Sequence, residues 1–193
     1  MTFALISAPN TDAYWDGLTY LLSQYPTLDD KGVSGYTGFG PNTTSGISQV
    51  GIYGGYFILP ALSPTYTMEY LEAALEPLLS YINTTYPGEF DLAYYNATTY
   101  PSYEAYYIPN NGPNNAGTNS LSGSRLLPAE ALTANMTALK IALQGFIPPQ
   151  GLAEAYLVVG QGVRNAVPRG GSDAVNPAWR NAIVHSSECS RAS

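Results

Sequence analysis

Few side chains in this protein can do chemistry, and their types limit what that chemistry is. There is one histidine, His185, and one cysteine, Cys189, beside seventeen tyrosines, five phenylalanines and two tryptophans. Single copies of His and Cys exclude, or nearly exclude, an intrachain disulfide, a zinc site built from both types and a remote Cys–His nucleophilic pair. No serine has Asp–His company in a nucleophile-elbow setting, which argues against a triad hydrolase. The acidic pairs read as surface groups. Asp29-Asp30 precedes a Lys-Gly turn and is expected to be solvated there. Glu69, Glu72 and Glu76 fall on the polar side of a helical stripe, and neither set converges across a cleft as glycosidase carboxylates must. What remains is the phenol: Tyr53 and Tyr36 are the candidate catalytic groups, as bases or as hydrogen-bond donors. His185 alternates with Ile183 on a strand and reads either as a satisfied structural histidine or as a site-lining one. Cys189 reads as a free thiol, with an interchain disulfide open.

These groups need elements to position them. The run 3–7 reads as a strand. A helix over 12–25 follows, capped by Asn10 or Thr11, with Leu18, Leu21 and Leu22 as its stripe. Residues 33–39 form a Gly-interrupted strand. The sequence QVGIYGGYFIL, residues 49–59, is the longest strand-like run. Its alternation sets Val50, Ile52 and Ile58 on one face and Gln49, Tyr53 and Phe57 on the other. A second helix spans 67–85, a strand 89–95, and a Tyr/Pro stretch 99–109. The polar segment 110–124 reads as a flexible loop, a lid or a binding loop. A helix over 129–145, with a restart at Asn135, precedes strands at 154–159 and 181–186. Gly160-Gln161-Gly162 imitates a dinucleotide loop but lacks a third glycine and a helix pattern, so it is discounted. The expectation is one α+β domain over 1–193, an antiparallel sheet with helices on one face. The aliphatic face goes to the helices. The face carrying Gln49, Tyr53 and Phe57 is left wanting a partner.

Composition bounds that partner. Charged residues are 11% of the chain and the net charge is −7, so no basic patch for nucleic acid or an anionic membrane surface is available. No run reaches the roughly 20 apolar residues of a spanning helix. Four Asn-x-Thr sites, at Asn42, Asn83, Asn96 and Asn135, together with scarce lysine and abundant Tyr, Asn and Thr, point to a secreted glycoprotein. Met1-Thr2-Phe3-Ala4 leads straight into a strand without a basic leader, so a signal is expected upstream of this piece, or export is absent.

Ala174-Val175-Asn176-Pro177-Ala178-Trp179-Arg180, followed by Asn181-Ala182-Ile183-Val184-His185, resembles a stretch of fungal FAD-linked oxidoreductases. The group is the berberine bridge enzyme-like one, within the vanillyl-alcohol oxidase superfamily. Ser124-Arg125-Leu126-Leu127-Pro128 is similar to the group's helix start, and Asp30-Lys31-Gly32-Val33-Ser34-Gly35-Tyr36 to one of its strand starts, in the family's order. The resemblance implies that an FAD-binding domain, absent from this chain, holds the cofactor and its covalent anchors. Neither His185 nor Cys189 sits in such an anchor motif. It further implies that this chain is the substrate-binding domain, its open face covering the flavin ring. Gln49, Phe57, Asn181 and His185 would then line the substrate cleft, with Trp179 and Arg180 bracing the last strand. The expected partners are an FAD-binding domain or subunit and a small-molecule substrate, and an uncovered aromatic face invites homodimerisation. The other reading is a secreted, non-redox protein binding a small molecule or sugar on the same face.

Overall fold

The computed structural model describes residues 1–7, 11–41, 50–59, 62–110, 120–146, 152–167 and 175–191. In chain order the elements are β1 (Thr2–Ser7), α1 (Asp12–Ser23), α2 (Tyr25–Asp30), β2 (Ser34–Pro41), β3 (Val50–Phe57), α3 (Met68–Thr85) and β4 (Phe90–Asn96). Then come α4 (Tyr103–Asn110), β5 (Ser120–Pro128), α5 (Ala129–Thr133), α6 (Met136–Phe146), β6 (Leu152–Leu157) and α7 (Gln161–Arg164). A 3₁₀ turn (Pro177–Arg180) and β7 (Ala182–Arg191) close the chain. Among the described residues seven strands form one sheet in the order β4-β1-β3-β2-β6-β7-β5, antiparallel throughout. The fold is α+β, as the strand and helix patterning requires.

Period-2 alternation sorts the sheet's side chains. Phe3, Leu5, Phe39, Ile52, Tyr56, Ala153, Ala155 and Leu157 lie on the covered face. Leu18, Leu21 and Leu22 of α1, Leu75, Leu78 and Ile82 of α3, Leu132 of α5 and Leu143 of α6 meet them there. Each buried Leu, Ile or Phe among them contributes roughly 1.5–3 kcal/mol by leaving water. Thr11 caps α1 by accepting from the Tyr14 N–H (3.1 Å), and Thr67 caps α3 by accepting from Tyr70 N–H (3.2 Å). Lys140 of α6 bridges to Asp12 (3.0 Å) and Asp16 (2.7 Å) on α1. Beneath this layer the Tyr25 hydroxyl meets the Thr37 hydroxyl at 2.5 Å and the Tyr56 hydroxyl at 3.2 Å, while Thr37 and Tyr56 are 2.6 Å apart. Three buried hydroxyls thereby satisfy one another. Among the described residues no helix is long and apolar enough to cross a membrane.

Several elements depart from the sequence pattern. The helix expected over 12–25 is two helices, because Pro26 fits the first turn of a new one, α2. The helix over 129–145, by contrast, restarts where expected: α5 ends at Thr133, and the Asn135 side chain caps α6 by accepting from the Ala138 N–H at 2.9 Å. Within 110–124, residues from Ser120 onward are not a loop but the edge strand β5, zipped to β7 from Ser120↔Arg191 to Pro128↔Ala182; residues 111–119 lie outside the described residues. Backbone pairing with an available edge overrides a polar composition. The Tyr/Pro stretch contains α4, and Gly160-Gln161-Gly162 opens a single helical turn, α7. Asp29 is the sharpest correction. It is buried rather than solvated, because it faces Arg164 inside the fold.

Candidate functional site

The face opposite the main helix layer is built on glycines. A Cβ at Gly55 would stand 2.5 Å from the Tyr36 ring, and one at Gly51 would stand 2.5 Å from the Tyr53 ring. Each phenol therefore lies along the sheet in the space its glycine leaves, which explains the interleaving of Gly and Tyr in β2 and β3. Strand register then assembles rows that cross the whole sheet. One row reads Asn96, Thr2, Gly55, Tyr36, Tyr156, His185, Leu126. The next reads Tyr94, Ala4, Tyr53, Gly38, Glu154, Ser187, Ser124.

Two candidates widely separated in sequence, Tyr36 and His185, are thus brought together with Tyr156 between them. The Tyr156 and His185 rings stack at 5.9 Å and 28°, and Trp179 tilts against His185 at 5.5 Å and 52°. Tyr53 is the diagonal neighbour of Tyr36. Phe57 lies further along β3, where Tyr106 of α4 meets it at 5.7 Å. Asn181 is not on the last strand: it closes the 3₁₀ turn, its N–H donating to the Ala178 carbonyl at 3.2 Å, and its side chain is exposed. Gln49 and Asn42 lie outside the described residues. Asn83, Asn96 and Asn135 are exposed.

Sequence reasoning missed Tyr156, Glu154 and the tyrosines of the 99–109 stretch. The Tyr156 hydroxyl donates to the Glu154 carboxylate, which stands on the same face of β6. Burial, reinforced by that carboxylate, pushes the Tyr156 phenol up to about 12. Burial also raises the Tyr36 phenol, with Glu154 adding to the effect, and burial raises Tyr53. Raised phenols stay protonated at neutral pH, so their chemistry here is hydrogen-bond donation. The face's candidate proton acceptor is Glu154. The alternation Glu154-x-Tyr156 was the signal for this pair, hidden because the segment read as an ordinary strand. At the β3 end the face runs into a cavity of about 710 Å³ between Thr2, Phe57 and Asn96 on the sheet side and Tyr100, Tyr103 and Tyr106 on the other. That volume suits a drug-sized ligand.

The chain matches no protein-family profile, and no curated protein matches it significantly. Among solved structures it is similar to the crystal structure of a VAO-type flavoprotein from Myceliophthora thermophila C1, with a TM-score of 0.73 and 21% sequence identity over 97% of this chain. This chain spans 33% of the length of that one. At that identity the likeness shows a shared fold.

Proposed function

We propose that this chain is the substrate-binding part of an FAD-linked oxidoreductase of the vanillyl-alcohol oxidase superfamily, in its berberine bridge enzyme-like group. The row Tyr36–Tyr156–His185 beside Glu154, on a face free of the main helix layer, carries this reading. The shared fold supports it. A flat ring system fits against such a face. A dinucleotide's diphosphate does not, since the two registered rows hold no lysine or arginine to meet its charge. FAD would therefore be held by a companion domain or subunit, supplying a hydride acceptor for an alcohol- or sugar-type C–H and passing the electrons to oxygen. This chain's share is binding and proton handling. Tyr36 and Tyr53 donate hydrogen bonds to substrate oxygen, Glu154 takes the substrate's hydroxyl proton while Tyr156 donates to the same carboxylate, and Phe57 with the adjoining cavity holds the remainder of the molecule. Exposed Asn83, Asn96 and Asn135 suit a secreted glycoprotein.

The test uses the pure chain. Phenols, alcohols and sugars are screened by NMR, where His185 as the sole histidine gives one imidazole signal. Binders should move that signal, and Tyr53→Ala should weaken them at least tenfold. Oxygen consumption after adding free FAD should be nil. Turnover with free FAD, or binders that leave His185 unmoved and ignore Tyr53→Ala, would overturn the reading. The cavity also favours a second reading, a secreted binding protein that needs no flavin. It predicts ligand binding in a native preparation lacking any flavin-bearing polypeptide.

A further inference from the structure

We infer that Asp29 is a positioning residue for the Tyr156–His185–Trp179 wall, acting through Arg164 and Arg180. The functional meaning of that wall rests on the reading above; the mechanical linkage does not. Two members of the wall stand on paired strands, since Tyr156 and His185 are cross-strand partners. Trp179 does not. It belongs to a 3₁₀ turn, and a ring on a turn needs something to hold the turn in place.

A chain of contacts leads from that turn into the core. The Arg180 guanidinium donates to the carbonyl of Val163 in α7. The next residue, Arg164, sends one guanidinium nitrogen to the Val159 carbonyl at 3.0 Å and the other to the Asp29 carboxylate. The Asp29 side chain is 3% exposed. A carboxylate at that depth is strongly unfavourable without a partner, so the Arg164 side chain is held rather than free to wander. The chain at Gly160 passes close to the carboxylate: a Cβ there would lie 3.7 Å from Asp29 Oδ1. Asp29 thus fixes α7, α7 presents the Val163 carbonyl, and that carbonyl fixes the turn carrying Trp179. Asp29 sits in α2 on the covered side of the sheet, so the helix layer sets the position of a ring beside His185.

His185 reports on this linkage directly. In the full chain its single imidazole spin system feels the ring current of Trp179, and Trp179→Leu defines where the signal goes without it. Asp29→Asn and Arg180→Met should each move the signal most of the way to the Trp179→Leu position. The Gly51 and Gly55 amide signals should stay put, which separates a displaced turn from general unfolding. Asp29→Asn combined with Trp179→Leu should go no further than Trp179→Leu alone. A wild-type His185 signal in Asp29→Asn, or an added shift in the double variant, would overturn the linkage. Should Asp29→Asn fail to fold, Arg180→Met leaves the Asp29–Arg164 pair intact, and an unmoved signal there overturns it equally. A chain showing these shifts while binding no ligand at the face would keep the linkage and remove the proposed function.

Discussion

Gly54 and Gly55 are adjacent in β3 and point to opposite faces, so one substitution made twice tests the division of the sheet. A Cβ at Gly54 would stand 2.5 Å from the Phe3 ring and 2.8 Å from the Tyr56 ring. Those rings are 3% and 2% exposed and stack on each other at 5.9 Å, so they have nowhere to go. The overlap is about 1 Å against ordinary carbon contact distances of roughly 3.5–4.0 Å. Overpacking of this kind costs about 1–3 kcal/mol, offset by roughly 0.5–1 kcal/mol from removing a glycine from a strand. Gly54→Ala should therefore lose about 1–2 kcal/mol. At Gly55 the atoms nearest the Cβ are the outer atoms of Tyr36, at 2.5–2.8 Å, and that half-buried ring can swing outward. Gly55→Ala should stay within about 0.5 kcal/mol of wild type in stability, where the glycine gain offsets the displacement. It should nevertheless weaken ligand binding, because it displaces the Tyr36 hydroxyl proposed to donate to substrate, and Tyr36→Ala should show a comparable loss. Urea denaturation of both variants, with unchanged m-values, reads the difference. Equal destabilisation by the two alanines would refute the open-face assignment, and a neutral Gly54→Ala would refute the packing beneath it.

Other outcomes follow from the buried pair and the surface. Arg164→Met strands the Asp29 carboxylate and should cost about 3 kcal/mol near pH 7, with the loss shrinking on acidification as Asp29 takes up a proton; thermal midpoints across pH measure it. In the wild type, burial raises Asp29 above its ordinary 3.8 despite the opposing effect of Arg164. The folded state therefore holds this proton more tightly than the unfolded chain, and the contribution of Asp29 falls as pH rises from 3.8 through its raised folded value. Asp29→Asn should remove that part of the pH slope. Expression through a eukaryotic secretory pathway should place glycans on Asn83, Asn96 and Asn135, read as a mass loss on enzymatic deglycosylation; an unmodified secreted chain would remove the glycoprotein reading.

What the sequence revealed was set by local pattern. The alternation in QVGIYGGYFIL correctly separated Ile52 from Tyr53 and Phe57, because a strand with one buried face imposes period 2. The leucines of α1 and α3 announced their stripes in the same way. Long-range register was not legible. Nothing near Tyr36 says that Tyr156 and His185 are its row neighbours, since strand order depends on pairings between segments more than a hundred residues apart. Asp29 was misread for a related reason. Asp-Asp-Lys-Gly has the composition of a turn, and only the arrival of Arg164, 135 residues later, makes burial tolerable. Ser120–Ser124 looked like loop because polar residues on a sheet edge lack an apolar signature.

The buried hydroxyl cluster of Tyr25, Thr37 and Tyr56 sets an alkaline ceiling on this architecture. Apolar packing sets no donor–acceptor geometry, whereas three mutually directed O–H groups add a directional tie between α2 and the strands β2 and β3. The same helix carries Asp29, so that tie also helps aim the carboxylate that Arg164 seeks. Burial pushes the Tyr56 phenol up to about 12 and Tyr25 well above its ordinary value. In the unfolded chain both ionise near 10. Folding therefore favours the protonated phenols, and stability drains away as pH climbs past 10. The chain should come apart in strong base at the joint between layers, before its exposed tyrosines would give any reason to unfold.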